Sequence, residues 1–167
     1  KRYLVAIINW KDIGISKNLK ILDIIPNLTE TNIDFYVYDF WNEKFLGQFK
    51  SNDIIELREL KPHSCSYMNI IPVSEEIQEL PILFSTNLHI TQGCCEIKQF
   101  KYIKDLNQLN INIELKGIRK GFLLLKFPQN KKIIKSDFEY SKIESKGNLW
   151  KIFVRFKDSL SLNIYLN

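Results

Sequence analysis

The feature that most constrains this 167-residue chain is strand-period alternation in short runs, with no stretch that sustains a helical period over three turns. Residues 33–49, IDFYVYDFWNEKFLGQF, show it most clearly. Ile33, Phe35 and Val37 fall on one face of an extended strand, and Tyr36, Tyr38 and Phe40 fall on the other. Both faces are apolar or aromatic, so both require cover, as in a central strand between packed layers. The run stops at Trp41-Asn42-Glu43-Lys44, a polar turn, and Phe45, Leu46 and Phe49 resume as a second strand.

The rest of the chain repeats the pattern. Residues 3–10 read as a buried strand, because 4–8 are continuously apolar. A turn around Gly14 leads to a short strand through Leu19 and Ile21, closed by Pro26-Asn27; a helix over 19–25 would be barely two turns long. Residues 53–60 alternate, Pro62-His63 breaks them, and 64–71 return as a strand. Further on, Leu109, Ile111, Ile113 and Leu115 alternate with polar neighbours until Gly117 turns the chain into 122–127. Ile133-Ile134 and Phe138 sit in another strand. Gly147 then turns the chain into 149–156, and Asp158-Ser159 turns it into 160–166. Runs of about four to eight residues between frequent turn signals predict an all-β antiparallel fold.

Residues 72–88 differ in character, being acidic and polar around Ser74 to Glu79 and broken by Pro81. The expected organisation is a Greek-key-type antiparallel β-sandwich over residues 1–80, a connection over 81–91, and a second small antiparallel β-unit over 92–167.

Composition excludes several classes. A 45% apolar content builds a core, and a net charge of +5 spread along the chain is a solvated surface without a nucleic-acid-binding motif. No apolar run has membrane-spanning length. Cys65, Cys94 and Cys95 are odd in number and two are adjacent, which argues against a disulfide framework and favours buried thiols in a cytoplasmic setting. With only His63 and His89 to join them, no metal-ligand spacing arises, and no cofactor is expected. The chain opens directly into a strand, without Met, and reads as part of a longer protein.

The chemistry-bearing candidates are few. His63 precedes Ser64-Cys65, a spacing that suits a structural histidine better than a nucleophile–base couple, and His89 stands alone in a loop. Asp39 beside Trp41 resembles a glycosidase acid near a sugar platform, but nothing nominates a second carboxylate, so a salt-bridged or turn-capping Asp39 is the better reading. No phosphate-binding glycine loop or nucleophile elbow is present, and no catalytic residue is nominated. Trp10, Trp41 and Trp150, with Tyr36, Tyr38 and Tyr165, would stack on sugar rings if two or three shared an exposed face; aromatic residues on strands otherwise build cores.

Six segments in order carry a family resemblance: VAIINW (5–10), KNLKILDI (17–24), YVYDFWNEKFLGQF (36–49), the alternating strand that follows, KPHSCSYMNIIPV (61–73) and FSTNLHITQG (84–93). Together they resemble the C-terminal β-domain of α-galactosidases (melibiases) of glycoside hydrolase families 27 and 36. The likeness covers about residues 3–93, and beyond it the chain matches only in being a further β-unit. In that family an upstream (β/α)8 barrel carries two catalytic aspartates in a retaining, metal-free mechanism. The resemblance therefore implies an accessory role for this region, which packs on the barrel and takes part in oligomer contacts. Trp10, Tyr38, Asp39, Trp41, His63 and His89 are the expected carbohydrate-contact or domain-interface residues. The alternatives are an independent carbohydrate-binding module and a protein-interaction scaffold.

Overall fold

A computed structural model describes residues 1–25, 33–143 and 148–167. The stop expected at Pro26-Asn27 and the turn expected at Gly147 lie outside the described residues. The strands are β1 (Tyr3–Asn9), β2 (Ile15–Lys20), β3 (Asp34–Asp39), β4 (Lys44–Lys50), β5 (Ile54–Leu60), β6 (Ser64–Val73), β7 (Ile82–Thr86), β8 (Ile97–Ile103), β9 (Gln108–Lys126), β10 (Ile133–Ser136), β11 (Tyr140–Ile143) and β12 (Leu149–Leu166). Two one-turn helices, α1 (Ile21–Ile24) and α2 (Glu75–Gln78), and a 3-10 turn at Lys104–Leu106 accompany them. The chain is all-β and every strand pair is antiparallel, as the alternation predicts.

Two compact units divide between Ser74 and Glu75, inside the acidic stretch that composition singles out. The expected connection at 81–91 differs from what is found. Residues 82–86 form β7, wholly buried, and pair with β9 in the second unit's sheet. Five residues rich in β-branched and aromatic side chains form a strand once a ladder partner is available.

The first unit, Lys1–Ser74, is a sandwich. A four-stranded sheet in the order β1-β6-β3-β4 packs against the β2-β5 ribbon and α1. Its core is Ile21, Ile25, Phe35, Val37, Ile55, Leu57, Met68 and Ile70. Strand β3 lies between β6 and β4 with residues 35–39 buried, so its double-sided apolar sequence matches a central position. The continuously apolar β1 does not: it is an edge strand, with Ala6 and Ile8 exposed. Apolar continuity alone does not report how many faces a strand buries. The short strand expected through Leu19 and Ile21 ends at Lys20, and Ile21 opens one helical turn.

The second unit, Glu75–Asn167, is one curled six-stranded sheet around a core that includes Leu109, Ile111, Leu123, Leu125, Ile152, Val154, Leu162 and Ile164. Gly117 and Asp158-Ser159, expected to be turns, lie instead within the continuous strands β9 and β12. The register shifts between Lys157 and Asp158, opposite Gly117. Both Gly117 (φ +86°) and Asp158 (φ +63°) are left-handed, and the Gly117 N–H donates to Asp158 Oδ1 at 2.8 Å. Turn-type residues here make a bulge, which bends a long ribbon without reversing it.

Candidate functional site

The most chemically distinctive surface of the first unit is the turn that leaves β3. Alternation continues one residue past the strand, and the Phe40 N–H donates to the Tyr67 carbonyl at 2.8 Å. The chain then has to reverse. Asp39, buried at the strand's end, accepts from the Asn42 N–H at 3.1 Å and the Asn42 side-chain amide at 2.8 Å. This two-point clip is an Asx-type turn, and both carboxylate oxygens are used in it. Asp39 therefore takes the turn-capping role.

The clip fixes an aromatic corner. Phe40 lies edge-on to Trp41 at 4.9 Å and to Tyr67 at 5.7 Å, and Trp41 lies 6.3 Å from Tyr67. Trp41 nevertheless remains 53% exposed. Tyr67 pairs with Ala6 on β1, and Ile8, next on the same face of β1, is also exposed. The corner is thus continuous with an apolar strip along the outer face of an edge strand.

Trp10, at 77% exposure, follows that strip beyond β1. Asn9 holds the chain there. Its buried amide donates to the carbonyls of Ile13, Leu60 and Lys61, and its Oδ1 accepts from the Lys11 N–H. His63 lies at the same end of the β1–β6 ladder, beyond the Asn9–Ser64 pair, with its Nε2 2.8 Å from Asp12 Oδ1. Tyr38 is buried, and burial first, then Glu43 and Asp39, raises its hydroxyl pKa well above 10. Trp10, Asp39, Trp41 and His63 thus all lie in the first unit, but only Asp39 and Trp41 share one turn; Tyr38 is core. Trp150, in the second unit, is buried.

His89 belongs to the second unit's loop between β7 and β8, whose organising residue the sequence reading missed. Glu96 is buried there as a carboxylate. Its Oε1 accepts from the Thr86 hydroxyl at 2.7 Å and the Gly93 N–H at 2.7 Å, and its Oε2 accepts from the Thr91 hydroxyl at 2.6 Å. Burial alone would raise the Glu96 pKa. The hydrogen bonds from Thr91, Thr86 and backbone N–H groups together outweigh burial and hold it below the ordinary carboxylate value. His89 Nδ1 lies 2.8 Å from the Thr91 hydroxyl, so the imidazole is exposed and attached to the loop's rim. The available signal was a lone acid three residues after a glycine, in a segment with two threonines and little other charge.

The expectation of buried thiols is also corrected. Cys94 and Cys95 are exposed and Cys65 is half-buried, with none in a disulfide. The loop closes inward on Glu96 and turns its adjacent cysteines outward. Among the described residues no group of His, Cys, Asp or Glu is arranged to hold a metal ion, and no helix is long and apolar enough to cross a membrane.

No protein-family model matches the chain, and no curated protein matches it.

Proposed function

We propose that this chain is the non-catalytic C-terminal region of an α-galactosidase-like glycoside hydrolase, and that its first unit packs against and stabilises an upstream (β/α)8 barrel through the corner at Trp41. The observation that carries the reading is the way the motif Tyr-x-Tyr-Asp-Phe-Trp is used. Asp39 is spent on clipping its own turn, and the clip presents Trp41 to solvent in a fixed aromatic setting. A large, half-exposed tryptophan with few rotatable bonds is the kind of residue that anchors interfaces. The last resembling segment, FSTNLHITQG, behaves similarly: Thr86, Thr91 and Gly93 serve the internal carboxylate of Glu96.

The test is the coding sequence upstream of Lys1 and an α-galactosidase assay of its intact product. The account expects a barrel with paired aspartates and cleavage of an aryl α-galactoside. An open reading frame that begins near Lys1 with no barrel would sink it.

A second reading, carbohydrate binding, is favoured by one observation: Trp10 and Trp41 are both exposed on the first unit. Titration of tryptophan fluorescence with galactosides separates the two. Saturable quenching that disappears in Trp41→Ala supports sugar binding, and a flat titration supports docking.

A further inference from the structure

The second unit carries an open cleft of about 560 Å³ across the middle of the β9–β12 ribbon, within the size range of small-molecule sites. Phe122, Phe138 and Phe153 line it together with Asn87, Lys120 and Arg155. The register explains the grouping. Phe122 is the cross-strand partner of Phe153 and Lys120 is the partner of Arg155, so two aromatic rings and two cations share one face.

Three features show that the cleft is built. First, Asn87 extends the pairing of β7 beyond its end: its N–H donates to the Phe122 carbonyl at 3.3 Å and its Oδ1 accepts from the Phe122 N–H at 2.7 Å. This close approach requires a glycine at position 121, where a Cβ would lie 2.3 Å from Asn87 Oδ1 and 2.9 Å from Leu88. Second, Phe153, at 40% exposure, leaves a large apolar ring in solvent at the lining. Third, like charges placed directly opposite each other on neighbouring strands destabilise a sheet, yet Lys120 faces Arg155 and neither is ion-paired among the described residues. A third cation, Lys151 Nζ, sits 4.1 Å from the centre of the Phe122 ring. Among the described residues, Glu139 is the one acid that lines the cleft.

We propose that this cleft binds a small organic anion with a flat apolar ring, its carboxylate held by Lys120 and Arg155 and its ring placed against Phe122 and Phe153. The guanidinium fork of Arg155 suits a carboxylate, and the anion relieves the repulsion between the opposed cations. The predominance of phenylalanine over hydroxyl and amide groups selects an apolar ring over a polyhydroxylated one.

Benzoate and phenylacetate, titrated into the 167-residue chain by calorimetry and by saturation-transfer NMR, test the proposal. Saturable binding is expected with a Kd on the order of 1 mM, the range available to ligands this small. Neutral phenylacetamide should bind at least about tenfold more weakly, and Arg155→Gln and Lys120→Gln should each weaken benzoate binding by a similar factor. Both residues are solvent-exposed, so each variant should unfold at the same temperature as the parent chain or slightly higher, which separates a lost site from a lost fold. Absence of saturation, equal binding of the amide, or unchanged binding by both variants would overturn the proposal. Saturation by poly-glutamate with none by benzoate would also overturn it, in favour of a macromolecular partner.

Discussion

Two tryptophans, one in each unit, are built from similar parts and end in opposite environments. Trp150 is 8% exposed, packed beside Phe127 and Tyr140. Its indole N–H donates at 2.9 Å to Asn148, whose own amide donates to the carbonyls of Pro128 and Lys131. Trp41 also has two aromatic neighbours and a carboxylate–amide clip beside it, but that clip closes on itself, Asp39 to Asn42. The polar group in the second unit satisfies the indole, which permits burial. In the first unit the polar pair fixes the backbone and leaves the ring outside. Trp150 serves folding, and Trp41 is the ring that the proposed docking would use.

Mutations separate the two roles. Trp150→Ala removes a buried ring and strands the Asn148 carbonyl, so equilibrium unfolding in urea should show a loss of about 3–5 kcal/mol. A loss below about 1 kcal/mol would mean that the Trp150 ring does not serve the core.

Glu96→Ala should follow closely, at roughly 3 kcal/mol, because it leaves the Thr86 and Thr91 hydroxyls and the Gly93 N–H without their charged acceptor. Glu96 also gives the second unit a pH dependence. Its pKa in the folded state is lowered from 4.5, so its contribution is present above the unfolded value and is lost as the pH falls through the folded one. Acid titration of stability should therefore be steeper in the parent chain than in Glu96→Gln at pH below about 4.5. Parallel curves would remove Glu96 from the account.

In the first unit, Asp39→Ala should cost about 1–2 kcal/mol by opening the turn. It should also broaden the NMR resonances of the Trp41 indole as the corner loses its fixed setting. Trp41→Ala should have the smallest effect on the chain itself, below about 1 kcal/mol, since half of the ring is already in water.

What the sequence disclosed follows from the same physics. Strand identity was legible because alternation is written into 33–40, 109–115 and 160–166, and β3 announced its central place through two apolar faces. Side-chain environment was less legible. Leu4 to Ile8 are as apolar as β3, yet β1 forms an edge, because edge or centre is decided by which strands arrive beside it. Gly117 and Asp158 carry turn chemistry, but facing each other across a ladder they make a bulge. For Asp39 the residues leave an ion pair or a turn cap open, and the structure selects the cap, whose partner Asn42 lies three residues away. Glu96 and the Lys120–Arg155 pair were missed, because their meaning depends on a loop that folds back and on a register between strands distant in sequence.

The claim that Trp41 is an interface anchor is tested most directly by unfolding Trp41→Ala twice, once in the 167-residue chain and once in the intact gene product. The account predicts a loss below about 1 kcal/mol in the chain and of at least about 2 kcal/mol in the intact protein, where the ring is buried against its partner. An equal, small loss in both would show that nothing docks on Trp41 and would contradict the proposed function.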